Sequence, residues 1–179
     1  MRITRSVLPV LLALMFMLGG CVYYFPHVYD GPTQKIYMAS WQNRTSNLEL
    51  DTEIYQSLAR WFQKSKSIVL TKDKAEADLI LAGEIISIYL PGISWNANAS
   101  ATEVKVRLEV RYILKNLKTS SILWEVPREL WTEEYSTRGG SAMMAANEKD
   151  ALDQIKDDLS ERIYLGTLEQ LRKMNMNAK

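Results

Sequence analysis

Residues 102–114, Thr-Glu-Val-Lys-Val-Arg-Leu-Glu-Val-Arg-Tyr-Ile-Leu, alternate apolar side chains with mostly charged ones. Successive side chains of a β-strand point to opposite faces of the sheet, so this pattern predicts a half-buried antiparallel strand. The buried face would carry Val104, Val106, Leu108, Val110, Tyr112 and Leu114, and the other face Glu103, Lys105, Arg107, Glu109 and Arg111.

The segments after this strand predict a hairpin. Residues 116–120 are rich in turn-forming side chains, and residues 122–135 return as a second strand. Proline has no backbone N–H and is confined to edge strands or bulges within sheets. Pro127 therefore predicts that the returning strand lies at a sheet edge or contains a bulge.

The run before the alternating strand, residues 79–90, is apolar on both faces until Pro91-Gly92 ends it. Such a strand lies in the middle of a sheet or has its second face covered by a partner. The sequence leaves both alternatives open. Gly83, inside this run, predicts a close approach of another group or a bulge. Shorter strands are predicted at residues 35–41 and 68–70.

Two amphipathic helices are predicted. Ser46 and Glu49 have the spacing of a capping box at a helix start, and Gly139-Gly140-Ser141 breaks the chain before the last element. Apolar positions then recur at helical spacing and give each helix one apolar face. They are Leu50, Ile54, Leu58, Trp61 and Phe62 in the first helix, and Leu152, Ile155, Leu159, Ile163, Leu168 and Leu171 in the second.

The order of these elements predicts an α+β fold. We expect a two-layer sandwich with two helices on one face of a mixed, mostly antiparallel sheet of four to five strands. The first strand and the strand after the first helix should be parallel, joined by a right-handed crossover. The expected single domain spans residues 35–172, and the polar segment 173–179 is expected to be a disordered tail.

Residues 1–20 have the features of a bacterial signal peptide. Arg2 and Arg5 supply positive charge, and residues 7–18 form an apolar run too short for a comfortable membrane span. Leu18-Gly19-Gly20-Cys21 resembles a lipobox, which predicts cleavage before Cys21 and lipidation of that residue. An ordinary secreted protein or an uncleaved anchor helix are the alternatives. Val22, in place of an Asp that retains lipoproteins at the inner membrane, favours the outer membrane.

Residues 21–34 follow as an aromatic, Pro- and Gly-containing segment that predicts a tether to the lipid anchor. Beyond residue 20 the chain has a formal charge of −1, because the signal carries two of the 22 basic residues and none of the 21 acidic ones. This balance argues against nucleic acid as a partner. The chain has one Cys, so no intramolecular disulfide is possible.

Little in the sequence predicts catalysis. The single His, His27, lies in the expected tether, and Glu133-Glu134 and Asp157-Asp158 are neighbours whose side chains diverge on a strand or helix. The spacings of metal ligands, of phosphate-binding glycines and of a nucleophile elbow are not found. The sequence therefore predicts a binding or assembly protein, with no cofactor or metal.

Several short motifs, taken in order, resemble the LptE family of lipopolysaccharide-assembly lipoproteins. Aromatic residues follow Cys21, an Asn-x-Thr turn stands at residues 43–45, and an Ala-Asp pair at residues 77–78 leads a strand with a central Gly. A C-terminal helix containing residues 147–152 completes the series. The chain departs from the family at Val22, where the family usually has Gly.

The resemblance implies a role in lipopolysaccharide transport. Members of this family sit inside the LptD β-barrel of the outer membrane, assist its folding and bind lipopolysaccharide. The resemblance therefore implies an LptD-type barrel, lipopolysaccharide and outer-membrane lipid as partners. The Asn-x-Thr turn and the strand led by Ala-Asp also resemble outer-membrane lipoproteins that activate peptidoglycan synthases and components of curli-type secretion pores, which remain the alternatives.

A candidate contact for lipopolysaccharide lies on the charged face of the strand at residues 102–114. Lys105, Arg107 and Arg111 are two and four residues apart, and Lys115 extends the row. Arg and Lys in such a row can bind phosphate groups. The alternative is a solvated face in which Glu103 and Glu109 neutralise the row through ion pairs.

Overall fold

A computed structural model describes Tyr29 and residues 31–177 of the chain. The signal peptide predicted at residues 1–20, Cys21 and most of the predicted tether lie outside the described residues. The strands are β1 (Gln34–Met38), β2 (Gln42–Asn43), β3 (Ile68–Thr71), β4 (Leu79–Tyr89), β5 (Gly92–Trp95), β6 (Ala101–Asn116) and β7 (Ile122–Ser136). The helices are α1 (Leu50–Gln63) and α2 (Ser141–Asn177), and a 3₁₀ turn spans Lys74–Glu76.

Within the described residues the sheet has seven strands, more than the four to five predicted, but they lie in five rows. β1 and β2 both pair with β4 and form one row, interrupted at residues 39–41. β4 and β5 both pair with β6 and form another, interrupted where Pro91 lacks a backbone N–H. The rows run β3, β1 with β2, β4 with β5, β6, β7.

The α+β class and the mixed sheet are confirmed. β1 pairs with β3 and β4 in parallel, as predicted for the first strand and the strand after the helix, and β6 pairs with β4, β5 and β7 antiparallel. β4 lies in the middle of the sheet. β7 has both features predicted from Pro127, since among the described strands it pairs with β6 alone, and two of its residues, Pro127 and Arg128, stand opposite Arg111.

One face of the sheet packs against both helices and forms the core. The six apolar residues of β6 predicted to be buried are at most 8% exposed. From α1 the core takes Leu50, Ile54, Leu58 and Phe62, and from α2 it takes Ile155, Leu159, Ile163, Leu168 and Leu171. The helices also contact each other, with Phe62 and Tyr164 edge-to-face at 5.8 Å between ring centroids. No helix or strand of the described residues covers the second face of the sheet, which is called the open face below.

The predicted capping box at the start of α1 is wrong. The helix begins at Leu50, and its cap residue Glu49 has φ of +73° and makes no side-chain capping bond. Asn43 instead organises the preceding loop, donating to the backbone oxygen of Asn47 at 2.8 Å and accepting from the Thr45 backbone N–H at 2.9 Å. Asn43 therefore orders the loop before the helix, and Ser46 does not cap the helix.

Helix α2 is longer than its apolar stripe suggests. Gly139 and Gly140 have φ of +98° and +89°, a conformation that side chains disfavour, and they turn the chain into the helix. At the other end the helix continues through residues 173–177, where the sequence predicts a disordered tail. Met174 packs against the core, and Lys173 forms an ion pair with Glu169 at 2.7 Å, so this last turn has contacts that order it.

Candidate functional site

The cations predicted as a lipopolysaccharide contact lie on the open face of the sheet. Alternate β6 residues are buried beneath the helices, which leaves Lys105, Arg107, Arg111 and Lys115 on the opposite face. Ten residues separate the first from the last, a distance of roughly 33 Å along a strand. The four side chains therefore form a ridge and cannot surround a single small anion.

The four cations have different surroundings. Lys105 Nζ lies 2.7 Å from Glu134 Oε1, and Arg111 is ion-paired with Glu84. Arg107 is exposed and Lys115 is half-buried, and neither has an acidic partner within the part of the chain that the structure describes. Arg107 is consequently the most open cation of the ridge.

Arg107 also has an aromatic neighbour on the same face. Its cross-strand partners are Tyr89 of β4 and Thr132 of β7. The Tyr89 side chain is 64% exposed. Directly opposed side chains in antiparallel strands lie about 5 Å apart at Cβ, so a ligand held by the guanidinium would also meet this ring.

The expected neutralisation by Glu103 and Glu109 takes a different form. Glu109 is paired with Arg128 of β7 at 2.6 Å, and Glu103 accepts a hydrogen bond from Ser94 Oγ at 2.6 Å. Both carboxylates therefore face partners on neighbouring strands. The acidic residues that do neutralise ridge cations are Glu84 and Glu134.

Glu84 is the part of this face that sequence reasoning missed. It is only 5% exposed and is contacted by Arg111 from β6 and by Arg44, which follows β2. The backbone N–H of Arg44 donates to the Ile85 oxygen at 3.1 Å, which holds this residue beside β4. A cavity of about 370 Å³ lies beside the Glu84 carboxylate.

The open face also carries apolar side chains. Ile80, Ala82 and Ile113 are half-buried on the outer side of β4 and β6, with Tyr37 of β1 beside them. Val69, Ile122 and Leu130 on the same face are 46%, 54% and 48% exposed. An open sheet face with both apolar and cationic side chains can bind an amphiphile or another protein surface.

Two motifs of the sequence resemblance have structural roles. The Asn-x-Thr turn at residues 43–45 orders the loop before α1, as described above. Asp78, of the Ala-Asp pair, accepts from the Lys35 backbone N–H at 2.8 Å and pairs with Lys118 Nζ at 2.6 Å. Its backbone oxygen accepts from the Leu117 N–H at 2.8 Å, so this residue ties β1 and the β6–β7 turn to β4.

The surroundings of Asp78 lower its pKa. Partial burial opposes the charged form, but the bonds from Lys118 and from the Lys35 backbone, with the charge of both lysines, outweigh it. Burial, with the carboxylate of Glu148 3.0 Å away, raises the pKa of the Tyr135 hydroxyl to about 12. Both shifts belong to groups that hold the fold together.

Residues 29 and 31–177 contain no cluster of three His, Cys, Asp or Glu side chains arranged to hold a metal ion. In the same residues, neither helix is apolar over a length sufficient to cross a bilayer. His27 and Cys21 lie outside the described residues. The candidate functional features of the described residues are the open sheet face, its cations and its apolar side chains.

Solved structures show that this fold recurs in bacterial proteins. A Xanthomonas campestris protein matches with a TM-score of 0.54 at 13% identity, over 83% of this chain and 91% of its own. A Caulobacter crescentus protein matches with a TM-score of 0.50 at 13% identity, over 75% of this chain and 92% of its own. These likenesses define a class of small bacterial α+β domains, and at such identity they show the fold alone.

The sequence places the chain more narrowly within that class. The family model described as LptE, lipopolysaccharide-assembly, matches residues 33–165. The chain therefore belongs to the LptE family of lipopolysaccharide-assembly proteins. No curated protein matches it.

Proposed function

We propose that this protein is an outer-membrane lipoprotein, anchored through Cys21, that plugs an LptD-type β-barrel, assists its assembly and binds lipopolysaccharide as it is inserted into the outer leaflet. The observation that carries the proposal is family membership over residues 33–165. The open sheet face supports it, because a plug must present a surface to the barrel wall or to its cargo.

Lipopolysaccharide would contact the ridge around Arg107. Arg binds phosphate through two parallel N–H bonds, and Arg107 has no acidic partner among the described residues to displace. Lys105, two residues away, would join by exchanging Glu134 for phosphate. Arg111 contributes less, because leaving Glu84 would remove one of the two cationic partners of a carboxylate that is 5% exposed. Lys115 would act as a separate, weaker contact eight residues from Arg107.

A single substitution tests whether lipopolysaccharide binds at Arg107. Arg107→Ser should weaken lipopolysaccharide binding by the full-length protein about three- to tenfold in low salt, and less in high salt because exposed charges are screened. Lys66→Ser is the matched control, since Lys66 is an exposed lysine in the turn after α1, away from the ridge. Equal affinities of the two variants would show that the glycolipid binds elsewhere.

The anchor is tested separately. Cys21→Ser removes the thiol that receives lipid, so the protein should accumulate as an uncleaved precursor in inner-membrane fractions. Recovery of the variant in outer membranes, cut after residue 20, would contradict lipidation at Cys21. This result would not bear on the ridge, since Arg107 is tested by binding in vitro.

A further inference from the structure

Strand β7 has one edge that the described part of the structure leaves without a partner. The Thr137 N–H donates to the Thr102 oxygen at 3.0 Å, which fixes the phase of the β6–β7 ladder. Because antiparallel pairs alternate between bonded and non-bonded, the N–H and C=O groups of Leu130, Thr132 and Glu134 point away from β6. No described residue forms a hydrogen bond with these groups.

Two features limit the length of this free edge, one at each end. The bulge at Pro127 and Arg128 interrupts the edge on one side. On the other side, Asn147 of α2 donates its amide to the Ser136 oxygen at 2.7 Å. The open edge therefore covers residues 129–136, a length that an extended segment of about seven or eight residues would match.

An acidic cleft of about 410 Å³ lies between this edge and α2. The charged residues among its described lining are Glu133, Glu134 and Asp150, all of them acidic. Glu134 is held by Lys105, whereas Glu133 and Asp150 have no basic partner among the described residues. Glu133 stands opposite buried Val106, so its side chain lies on the helix side of the sheet.

We propose that the edge at residues 129–136 receives an extended, basic segment of a partner protein, which adds to the sheet as an antiparallel strand. Its backbone would bond with Leu130, Thr132 and Glu134, the usual basis of affinity in strand addition. Alternate side chains of the added strand face the helix side, where a Lys or Arg would meet Glu133 and Asp150. The added strand would thus bring positive charge to the acidic cleft.

Charge argues against a second copy of this chain as the occupant. An antiparallel pair of β7 edges centred on residue 133 would set each Glu133 opposite its own copy, and like charges directly opposed destabilise a sheet. Such a dimer would also bring both Asp150 side chains to the shared cleft without a cation between them. A basic segment has neither penalty.

A defined peptide tests the proposal on the full-length protein in detergent. The probe is an octapeptide in which Lys and Val alternate, and its partner replaces each Lys by Glu. The Lys peptide should bind, and the Glu peptide should not. With Lys opposite Glu133, the Val nitrogens face β7, so N-methylation of the Val residues should abolish binding while N-methylation of the Lys residues should preserve it.

Protein variants separate backbone pairing from charge. Thr132→Pro removes an N–H that points away from β6, so the fold should survive while peptide binding is lost. Glu133→Gln with Asp150→Asn should weaken binding about three- to tenfold at low salt. Glu125→Gln, on β7 beyond the bulge, is the matched control and should change nothing.

Three results would overturn the proposal. They are no binding of the Lys peptide to wild-type protein, unchanged binding in a folded Thr132→Pro variant, and concentration-dependent dimerisation that Thr132→Pro abolishes. The proposal does not depend on the lipopolysaccharide role, because the peptide assay includes neither glycolipid nor barrel. Failure at Arg107 would leave the β7 edge intact, and failure at the edge would leave the ridge intact.

Discussion

Gly83 lies beneath an aromatic ring, so adding one methyl group there should destabilise the domain. A Cβ built on this residue would lie 2.4 Å from Trp41 Cε2 and 2.5 Å from Trp41 Cζ2, closer than real Cβ atoms approach. The Trp41 ring is 5% exposed and belongs to the core, so it cannot swing into solvent without opening the helix–sheet interface.

Overpacking of this kind costs about 1–3 kcal/mol in a packed core. For a domain of this size, Gly83→Ala should therefore lower Tm by about 2 to 12 °C. The measurement is urea and thermal unfolding of the full-length protein, followed by far-UV circular dichroism, which does not depend on tryptophan fluorescence. Ala82→Ser, one residue away on the open face, is the matched control and should stay within about 0.5 kcal/mol of wild type.

A second substitution shows whether the ring is the cause. Trp41→Phe makes space at the same point, so the double variant with Gly83→Ala should lose less free energy of unfolding than the two single losses combined, by at least about 0.5 kcal/mol. Unchanged stability of Gly83→Ala, or full additivity in the double variant, would refute the reasoning.

Two further predictions concern charged groups of the fold. Lys156 is 7% exposed and forms ion pairs with Glu53 at 2.7 Å and with Asp153 at 2.6 Å. The free energy of unfolding of Lys156→Met, measured in urea, should stay within about 1.5 kcal/mol of wild type, because both carboxylates can be hydrated. A loss above about 3 kcal/mol would contradict this. The lowered pKa of Asp78 means that its stabilising contribution is complete above the unfolded pKa of about 4 and disappears as pH falls below it. Asp78→Asn should therefore be less stable than wild type at pH 7, by about 0.5–1 kcal/mol, and should converge with it near pH 2; a constant difference across this range would contradict the assignment.

The strands were predictable because their signal is local. On β6 the alternation of six apolar and five charged side chains needs no knowledge of the rest of the chain, and the structure buries the apolar set. Pro127 likewise acts through its own missing N–H. The core stripes of both helices follow from residue spacing in the same way.

The interruptions of the sheet depend on distant residues and could not be predicted. The predicted strand at residues 35–41 ends at Met38, and Trp41 packs over Gly83 of β4 before pairing resumes at Gln42. This close approach is one of the two outcomes that a glycine in a strand suggests. The sequence identifies the glycine that permits the close approach, but it does not identify the Trp41 ring that packs over it.

The site shows the same division between local and distant information. Strand alternation puts Lys105, Arg107, Arg111 and Lys115 on one face, but it cannot show which cations are already paired. Glu84 lies 27 residues before Arg111 in the chain, and only the β4–β6 register brings them together. Nothing in the sequence around Arg44 predicts its contact with Glu84, because Asn43 and Thr45 identify the turn but not the position of the Arg44 side chain.

The partner of the protein is the most direct test of the central proposal. A tagged full-length protein should be extracted in mild detergent from the cells that make it and purified under conditions that preserve stoichiometric complexes. We expect a large outer-membrane β-barrel of the LptD type in an equimolar complex, because a plug is held within its barrel. Recovery of a peptidoglycan synthase or of secretion-pore subunits, with no such barrel, would contradict the proposal.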